Sequence, residues 1–69
     1  MNRVYYIIQR LDGQYRKMDY NAERYTLIMG WTPDKDKAKR FDRYIDALMH
    51  TRSLVPKGDY WIKTIIVDE

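Results

Sequence analysis

The amino-acid sequence predicts a small α+β domain, in which one main helix packs on one face of an antiparallel sheet of three to four strands, in the chain order β-β-β-α-β. Three observations support this fold class. Runs of β-branched and aromatic residues at 4–10, 24–31 and 59–67 are typical of strands. The pair Asp12-Gly13 favours a hairpin turn. Apolar residues recur at helical spacing between 41 and 48.

The first two strands are expected to form a hairpin. Residues 4–10 (VYYIIQR) are apolar at odd and even positions alike, which predicts a central strand. Asp12-Gly13 follows directly and predicts a type I′ turn, in which both central residues need positive φ. The returning strand, 14–20, is more polar, so we expect it nearer a sheet edge. Residues 21–23 predict the next turn.

Two further strands complete the predicted sheet. Residues 24–31 (RYTLIMGW) alternate in character, and Gly30 predicts a bend or bulge where this third strand ends. Residues 59–67 (DYWIKTIIV) are apolar on both faces, which predicts a central position beside the first strand. One helix cannot cover both faces of the sheet, so the second face is expected to meet a partner. The candidates for that face are Tyr5, Ile7, Trp61 and Ile65.

A helical region is predicted between the third and the last strand. Thr32-Pro33 is typical of a helix start, with threonine as the N-cap, and the turn after it should be short. Asp42 is predicted as a second N-cap for a main helix over 43–52, ended by the turn at 56–59. The buried stripe of that helix is predicted to be Phe41, Tyr44, Ile45 and Leu48. The solvent-exposed side of the helix is predicted to carry Arg43, Asp46, His50 and Ser53.

Composition restricts the class of protein. At 69 residues the chain is expected to be a single domain over 1–69, and 45% hydrophobic with 33% charged residues is typical of a globular protein. The absence of cysteine excludes disulfides and thiolate metal sites and suits a reducing cytoplasm. No apolar run has the length of a signal peptide or a membrane span. We therefore expect a soluble cytoplasmic protein without a membrane partner.

Catalytic and metal-binding chemistry is not predicted. His50 is the one histidine, and with Asp46 four residues earlier it forms an ordinary helix-face pair, which favours a surface or capping role. Asp34 and Asp36 alternate with lysines, and no later glutamate completes a calcium loop. The three glycines are isolated, so there is no glycine-rich phosphate loop. The sequence predicts a protein that is not an enzyme and holds no metal or cofactor.

A family resemblance rests on packing residues. Trp31, Ala38 and Phe41 have the spacing W-x6-A-x2-F, the main helix carries the inward alanine Ala47, and a hairpin turn at 11–14 (LDGQ) precedes them. With a closing strand after a Gly-Asp turn, this pattern resembles small accessory proteins of bacteriophages and prophages. The resemblance implies the fold and a phage-type protein, some of which inhibit host enzymes or defence systems, anti-CRISPRs among them. It implies no functional residue.

Protein binding is the predicted function. The seven tyrosines exceed what a small core needs, and tyrosine and arginine are enriched at protein interfaces. We expect the chain to bind and inhibit or modulate a host protein in the host cytoplasm, for example a component of a CRISPR-Cas system. The predicted partner-binding residues are Tyr5, Tyr15, Arg16, Lys35, Lys37, Lys39, Arg40 and Arg43.

The alternative is a small nucleic-acid-binding domain. The net charge is +3 with a pI near 9.3, and five cations lie within 35–43, near Trp31 and Tyr44. Such cations could hold phosphates while an aromatic ring stacks on a base. Acidic residues at 34, 36 and 42 dilute this charge, which is usual for a solvated surface. A homodimer that covers the second sheet face is a further expectation.

Overall fold

The computed structural model describes residues 2–54 and 58–68, and its elements follow the predicted order. A four-stranded antiparallel sheet and one α-helix form a two-layer α+β domain, which confirms the predicted fold class. The elements are β1 (Asn2–Arg10), β2 (Tyr15–Asn21), β3 (Thr26–Thr32), a 3₁₀ turn (Lys35–Lys37), α1 (Tyr44–Ser53) and β4 (Tyr60–Asp68).

The strands lie in the order β3-β2-β1-β4, so β1 is central as predicted and β4 lies beside it. The β1–β4 ladder extends from Asn2 opposite Asp68 to Arg10 opposite Tyr60. However, β4 is an edge strand and β2 is an inner strand, which corrects both predicted positions. Apolar character misled the prediction, because the more polar β2 is enclosed by β3, which pairs along its outer side.

The first hairpin turns through the predicted Asp12-Gly13 pair, but not as a type I′ turn. Of the two residues only Gly13 has a positive φ, of 90°. The Arg10 amide donates to Gln14 O at 2.8 Å and the Gly13 amide to Arg10 O at 2.9 Å, which closes a three-residue loop. The Asp12 carboxylate favours this loop, because its Oδ1 accepts from the Gln14 amide at 3.0 Å.

β1 and β2 separate soon after this turn. Among the described residues their ladder holds one Cα pair, and beyond it residues 39–41 lie between the two strands. Phe41 and Tyr6 of β1 exchange both backbone hydrogen bonds at 2.8 Å. The Lys39 amide donates to Arg16 O of β2, also at 2.8 Å. This inserted segment, 39–41, therefore satisfies backbone groups that two diverging strands would leave open.

β3 begins and ends later than predicted. Tyr25 has a positive φ of 52° and belongs to the turn before the strand, which begins at Thr26. Gly30 is not a bend, because it lies in the regular ladder opposite Lys17 and the strand continues to Thr32. A Cβ on Gly30 would lie 3.2 Å from Lys17 Cε, so the glycine leaves room for the lysine side chain to cross the strand.

The predicted short turn after β3 is present. The Thr32 hydroxyl accepts from the Asp34 amide at 3.1 Å, and the Asp34 carboxylate accepts from the Asp36 amide at 3.0 Å. The N-cap of the 3₁₀ turn is therefore Asp34 and not the predicted Thr32, whose hydroxyl bonds the amide of the cap residue itself. The turn leads the chain to Ala38, which is buried just before the inserted segment.

α1 packs on the sheet through a face that is shifted from the predicted stripe towards Ala47, although Tyr44 still contacts the ring of Tyr6. Ala47 is fully buried, whereas Tyr44 and Ile45 are about half exposed, at 51% and 50%. Helical spacing from Ala47 leads to His50, which is half-buried, and to Leu54, which is buried. The buried position of Ala47 confirms the expected inward alanine. The inward position of His50 was not predicted, because a histidine adds little to an apolar pattern.

The ends of α1 also differ from prediction. Its N-cap is Arg43, which makes no side-chain capping bond, so Asp42 does not cap the main helix. Arg43 instead forms a two-point ion pair with Asp46, with Nε–Oδ2 and Nη2–Oδ1 distances of 3.0 Å. The helix ends at Ser53. Most of the predicted helix-ending turn at 56–59 lies outside the described residues.

The core is small and centres on β1. Ile7 and Ile8 are its largest fully buried side chains, and because they are adjacent on a strand they point to opposite faces of the sheet. Both faces are therefore covered at this point. In the described part of the chain, no helix is long and apolar enough to cross a membrane.

Candidate functional site

Strand register gives the sheet two chemically different faces. Cα partners on antiparallel strands share a face, and the faces alternate along each strand. α1 lies on the side of Tyr6, because the rings of Tyr6 and Tyr44 meet edge to face with centroids 5.8 Å apart. We call the opposite side the open face. Its defining residues are Tyr5, Ile7, Tyr15, Arg40, Trp61 and Lys63.

Arg40 lies across the ring of Tyr5 on the open face. Its guanidinium carbon is 4.6 Å from the ring centroid, which is cation–π geometry. The backbone bridge between Phe41 and Tyr6 makes the preceding residues, Arg40 and Tyr5, diagonal neighbours, which a long side chain can span. Because Arg40 is exposed, the contact orders the guanidinium while leaving it at the surface.

A second cation lies over a second tyrosine on the same side. The ammonium of Lys63 is 5.9 Å from the ring centroid of Tyr15, near the outer limit of a cation–π contact. Lys63 is the ladder partner of Ile7 on β4, and Tyr15 is the partner of Gln9 on β2, so the contact spans β1. On the other flank of β1, Trp61 of β4 is the ladder partner of Gln9 and is 48% exposed.

These side chains form a layer over an apolar floor. Ile7 is only 1% exposed, with Lys63 beside it on β4 and Arg40 of the inserted segment on the other flank. Long cationic side chains can cover apolar surface with their aliphatic stems while their charged ends stay in water. The open face is therefore an aromatic and basic surface whose charged groups are exposed to solvent and whose base, at Ile7, is apolar and buried.

The two ordered cations of the open face are not neutralised within the described chain. Across residues 2–54 and 58–68, neither Arg40 nor Lys63 forms an ion pair. Lys17, on the same side of β2, differs, because its Nζ lies 3.4 Å from Asp19 Oδ2. Arg40 and Lys63 therefore carry positive charge on the open face that is available to an acidic partner.

Arg16 was predicted beside Tyr15 as a partner-binding residue, but it lies on the helix side. Its Nε donates to His50 Nε2 at 3.1 Å, and its guanidinium carbon is 5.2 Å from the Trp31 ring centroid. Burial lowers the pKa of Arg16 from its usual value, although the group stays positively charged. The structure therefore places Arg16 at the contact between α1 and the sheet.

His50 is a half-buried acceptor and not the surface residue that was predicted. Because Nε2 accepts from Arg16, the ring proton lies on Nδ1. Burial lowers the pKa of His50, and the positive charges of Arg16 and Lys39 lower it further. The ring also contacts Phe41, with centroids 5.4 Å apart. A neutral imidazole in this position packs the helix against the sheet.

Trp31 is enclosed by other side chains. Its ring stacks on Tyr60, with centroids 5.7 Å apart and planes 6° from parallel. The guanidinium carbons of Arg10 and Arg16 lie 4.7 Å and 5.2 Å from the same ring. These contacts occupy one of the two rings that the nucleic-acid alternative named for stacking on a base. The other, Tyr44, is half exposed and lies on the helix.

The predicted basic run does not form one surface. Lys39 and Arg40 point to opposite sides of the sheet, since the Lys39 ammonium lies 5.6 Å from the Phe41 ring centroid on the helix side. Arg43 is held by its ion pair at the start of α1. Lys35 and Lys37 are exposed on the 3₁₀ turn. Of the predicted partner-binding residues, the open face brings together Tyr5, Tyr15 and Arg40.

Lys63 is the open-face residue that sequence reasoning missed. It lies in a strand that is recognised by its apolar character, and one charge in such a run gives no sign of a site. The signal was present in the alternation, because Lys63 shares the odd positions of β4 with Trp61 and Ile65. Both of these residues were already assigned to the second face.

A groove of about 500 Å³ lies between the end of α1 and the start of β4. Its described lining is Thr51, Arg52, Gly58 and Tyr60, which supplies no acid–base pair. Within residues 2–54 and 58–68, no three His, Cys, Asp or Glu side chains are grouped so that they could hold a metal ion.

The chain was compared with family models, with curated proteins and with solved structures. None of the three comparisons gives a match.

Proposed function

We propose that this chain is a non-enzymatic protein-binding domain whose open face engages an acidic patch on a partner protein. One observation carries the proposal. Arg40 and Lys63 lie over Tyr5 and Tyr15 on the same face of the sheet, and neither cation is in an ion pair within the described residues.

Interface physics favours this arrangement. Tyrosine, tryptophan and arginine are the residues most often found at interface hot spots, because they bury large areas and also hydrogen-bond. A guanidinium ordered over a ring loses less freedom when it meets a carboxylate. Trp61, at the edge of the same face, would add an apolar anchor. The positive field would also speed encounters with an acidic partner.

The resemblance to small phage accessory proteins extends the proposal to a biological setting. The partner would be a bacterial host protein, such as a component of a defence system, and the site of action would be the host cytoplasm. Inhibition or modulation would result from covering a surface of that protein, without turnover. The exposed cations Lys35 and Lys37 lie on a separate turn and are assigned no part of this interface.

Affinity capture with matched variants tests the proposal. The immobilised domain is exposed to nuclease-treated bacterial lysate, retained proteins are identified, and the leading candidate is purified for direct titration. We expect the double variant Arg40→Glu and Lys63→Glu, and separately Tyr5→Ala, to lose at least about tenfold in affinity, or about 1.4 kcal/mol. Circular dichroism should show that both variants remain folded.

The control has the same change of charge elsewhere. The double variant Lys35→Glu and Lys37→Glu alters net charge equally on the 3₁₀ turn and should bind the purified partner with nearly unchanged affinity. Equal losses in the two double variants would show that only net charge matters and would contradict an open-face interface.

Nucleic-acid binding is distinguished in the same experiment. Retention of nucleic acid alone, abolished by nuclease and falling steeply with salt, would replace the protein-binding proposal. The geometry gives this alternative less support, because the basic run is divided between the two sides of the sheet and Trp31 is enclosed.

A further inference from the structure

β3 is an edge strand whose outer side meets no other strand in the described chain. It pairs with β2 along its full length, from Thr26 opposite Asn21 to Thr32 opposite Tyr15. On an edge strand, alternate residues direct their N–H and C=O groups away from the sheet. Such an edge can accept another strand unless it is protected.

The usual forms of edge protection are missing from β3. Natural edges are blocked by charged residues, above all lysine, by proline or by a bulge. The sequence of β3, TLIMGWT, has neither charge nor proline, and its ladder with β2 is regular. The opposite edge strand differs, since β4 carries Lys63 near its middle and Asp68 at its end.

The side chains of β3 are apolar and exposed at its centre. Leu27 and Ile28 are 60% and 50% exposed, and they point to opposite faces. On the helix side, Leu27 and Met29 lie opposite Tyr20 and Met18 of β2, which makes an apolar row. This row extends beyond α1, whose main contacts are with β1 and β4.

We propose that two copies of this chain pair antiparallel through β3, about a twofold axis at Ile28, to form a continuous eight-stranded sheet. In this register Ile28 lies opposite Ile28 of the second copy, and Leu27 lies opposite Met29 of the second copy. Thr26 meets Gly30 of the second copy, where the missing side chain leaves room. The apolar rows of both copies then join on the helix side.

Self-pairing is favoured by charge and by symmetry. A twofold axis places each residue opposite a residue of the same strand, so a charged centre would bring like charges together and destabilise the pair. β3 has no charge to repel, and its central triplet Leu27-Ile28-Met29 is apolar when read in either direction. The small net charge of +3 also keeps repulsion between the copies low.

Sedimentation over a wide concentration series tests the proposal on the full chain. Wild type should form a dimer, and Ile28→Lys should raise the dimer dissociation constant by about tenfold or more, because two ammonium groups would meet at the axis. Ile28→Glu should do the same, whereas an equimolar mixture of the two variants should associate. The matched control is Ile66→Lys on β4, which is 65% exposed and should leave the dimer unchanged.

A cross-link provides a second measurement that does not depend on a charged variant. The chain has no cysteine, so a single introduced thiol reports on one position. Residues directly opposite each other on antiparallel strands bring their Cβ atoms within disulfide reach. Ile28→Cys should therefore cross-link two copies under mild oxidation much faster than Ile66→Cys.

Four results would overturn the proposal. They are a monomeric wild type at every concentration, a dimer that Ile28→Lys leaves intact, open-ended assembly in place of a dimer, and equal cross-linking at both positions. A monomer that accepts an extended peptide on β3 would show that the edge serves another occupant. Ile28 lies on the same side of the sheet as the open face, but on the outer strand and outside the set of Tyr5, Tyr15, Arg40 and Lys63. The two proposals are therefore tested with different variants, and either can fail without the other.

Discussion

Arg16 of β2 and His50 of α1, 34 positions apart in the chain, are joined by a 3.1 Å hydrogen bond from Nε to Nε2. This bond connects the helix to a strand beyond β1 and requires a neutral imidazole. Protonation of His50 would break this bond and so weaken the packing of α1 on the sheet.

The free energy of unfolding should decrease as the pH is lowered and His50 gains a proton. Burial, together with the charges of Arg16 and Lys39, lowers the folded-state pKa of His50 below its ordinary 6.5. The unfolded chain therefore binds this proton more readily, and the free energy of unfolding is highest above about pH 6.5 and declines as pH drops towards the folded-state pKa. Urea denaturation at a series of pH values measures the slope.

His50→Gln is the control for this titration. A glutamine can still accept a hydrogen bond from Arg16 but does not titrate, so the slope between pH 6.5 and the onset of carboxylate titration should disappear. An unchanged slope in the variant would show that another group is responsible.

Burial at the centre of β1 should dominate stability. Ile8→Ala removes a side chain that is fully enclosed and should cost about 2–5 kcal/mol. Ile45→Ala, in the stripe predicted from sequence, should cost less than about 1 kcal/mol because that side chain is half exposed. Denaturant melts of the two variants give the comparison, and equal losses would contradict the observed face of α1.

Ala47 should resist enlargement. Its side chain is fully buried between α1 and the sheet, so Ala47→Leu should destabilise the domain by about 1–3 kcal/mol through overpacking. The control is the same replacement at an exposed alanine. Ala22 lies in the turn before β3, and Ala22→Leu should have little effect on stability. Thermal melts of both variants check the difference.

Two glycines should respond differently to a methyl group. Gly13 has a φ of 90°, which an L side chain rarely adopts, so Gly13→Ala should cost about 1–2 kcal/mol. Gly30→Ala would place its Cβ 3.2 Å from Lys17 Cε, the far part of a flexible side chain that can move. We expect it to lie within about 0.5 kcal/mol of wild type by denaturant melts, because alanine also reduces the entropy of the unfolded chain.

The predictable part of this fold came from strongly patterned segments. Apolar runs gave three of the four strands, and Asp12-Gly13 gave the first turn and with it the returning strand β2. The lateral order of the strands was less accessible, because β2 is polar yet enclosed by its pairing with β3. Pairing is a long-range property that the local pattern of one strand does not contain.

The candidate site was likewise predictable in its residues but not in their arrangement. Tyr5 and Tyr15 could be selected from composition, and Arg40 from the basic run. Their convergence with Lys63 depends on the inserted segment, which turns Arg40 to one side of the sheet and Lys39 to the other. The inward position of His50 was hidden because a buried histidine is apparent only once its hydrogen-bond partner is known.

Because β1 and β2 separate, the sheet consists of two ladders, β1–β4 and β2–β3, that are joined by few hydrogen bonds. The β2–β3 hairpin closes through a local turn and is tied to the rest by the pair Gln9–Tyr15, the Lys39–Arg16 backbone bond and a few side chains. Such a unit can open while the β1–β4 ladder stays closed. In deuterated water, at protein concentrations low enough to keep the chain monomeric, the amides of β3 should therefore exchange well before those at the centre of β1. The hairpin would then behave as a separate cooperative unit within 69 residues.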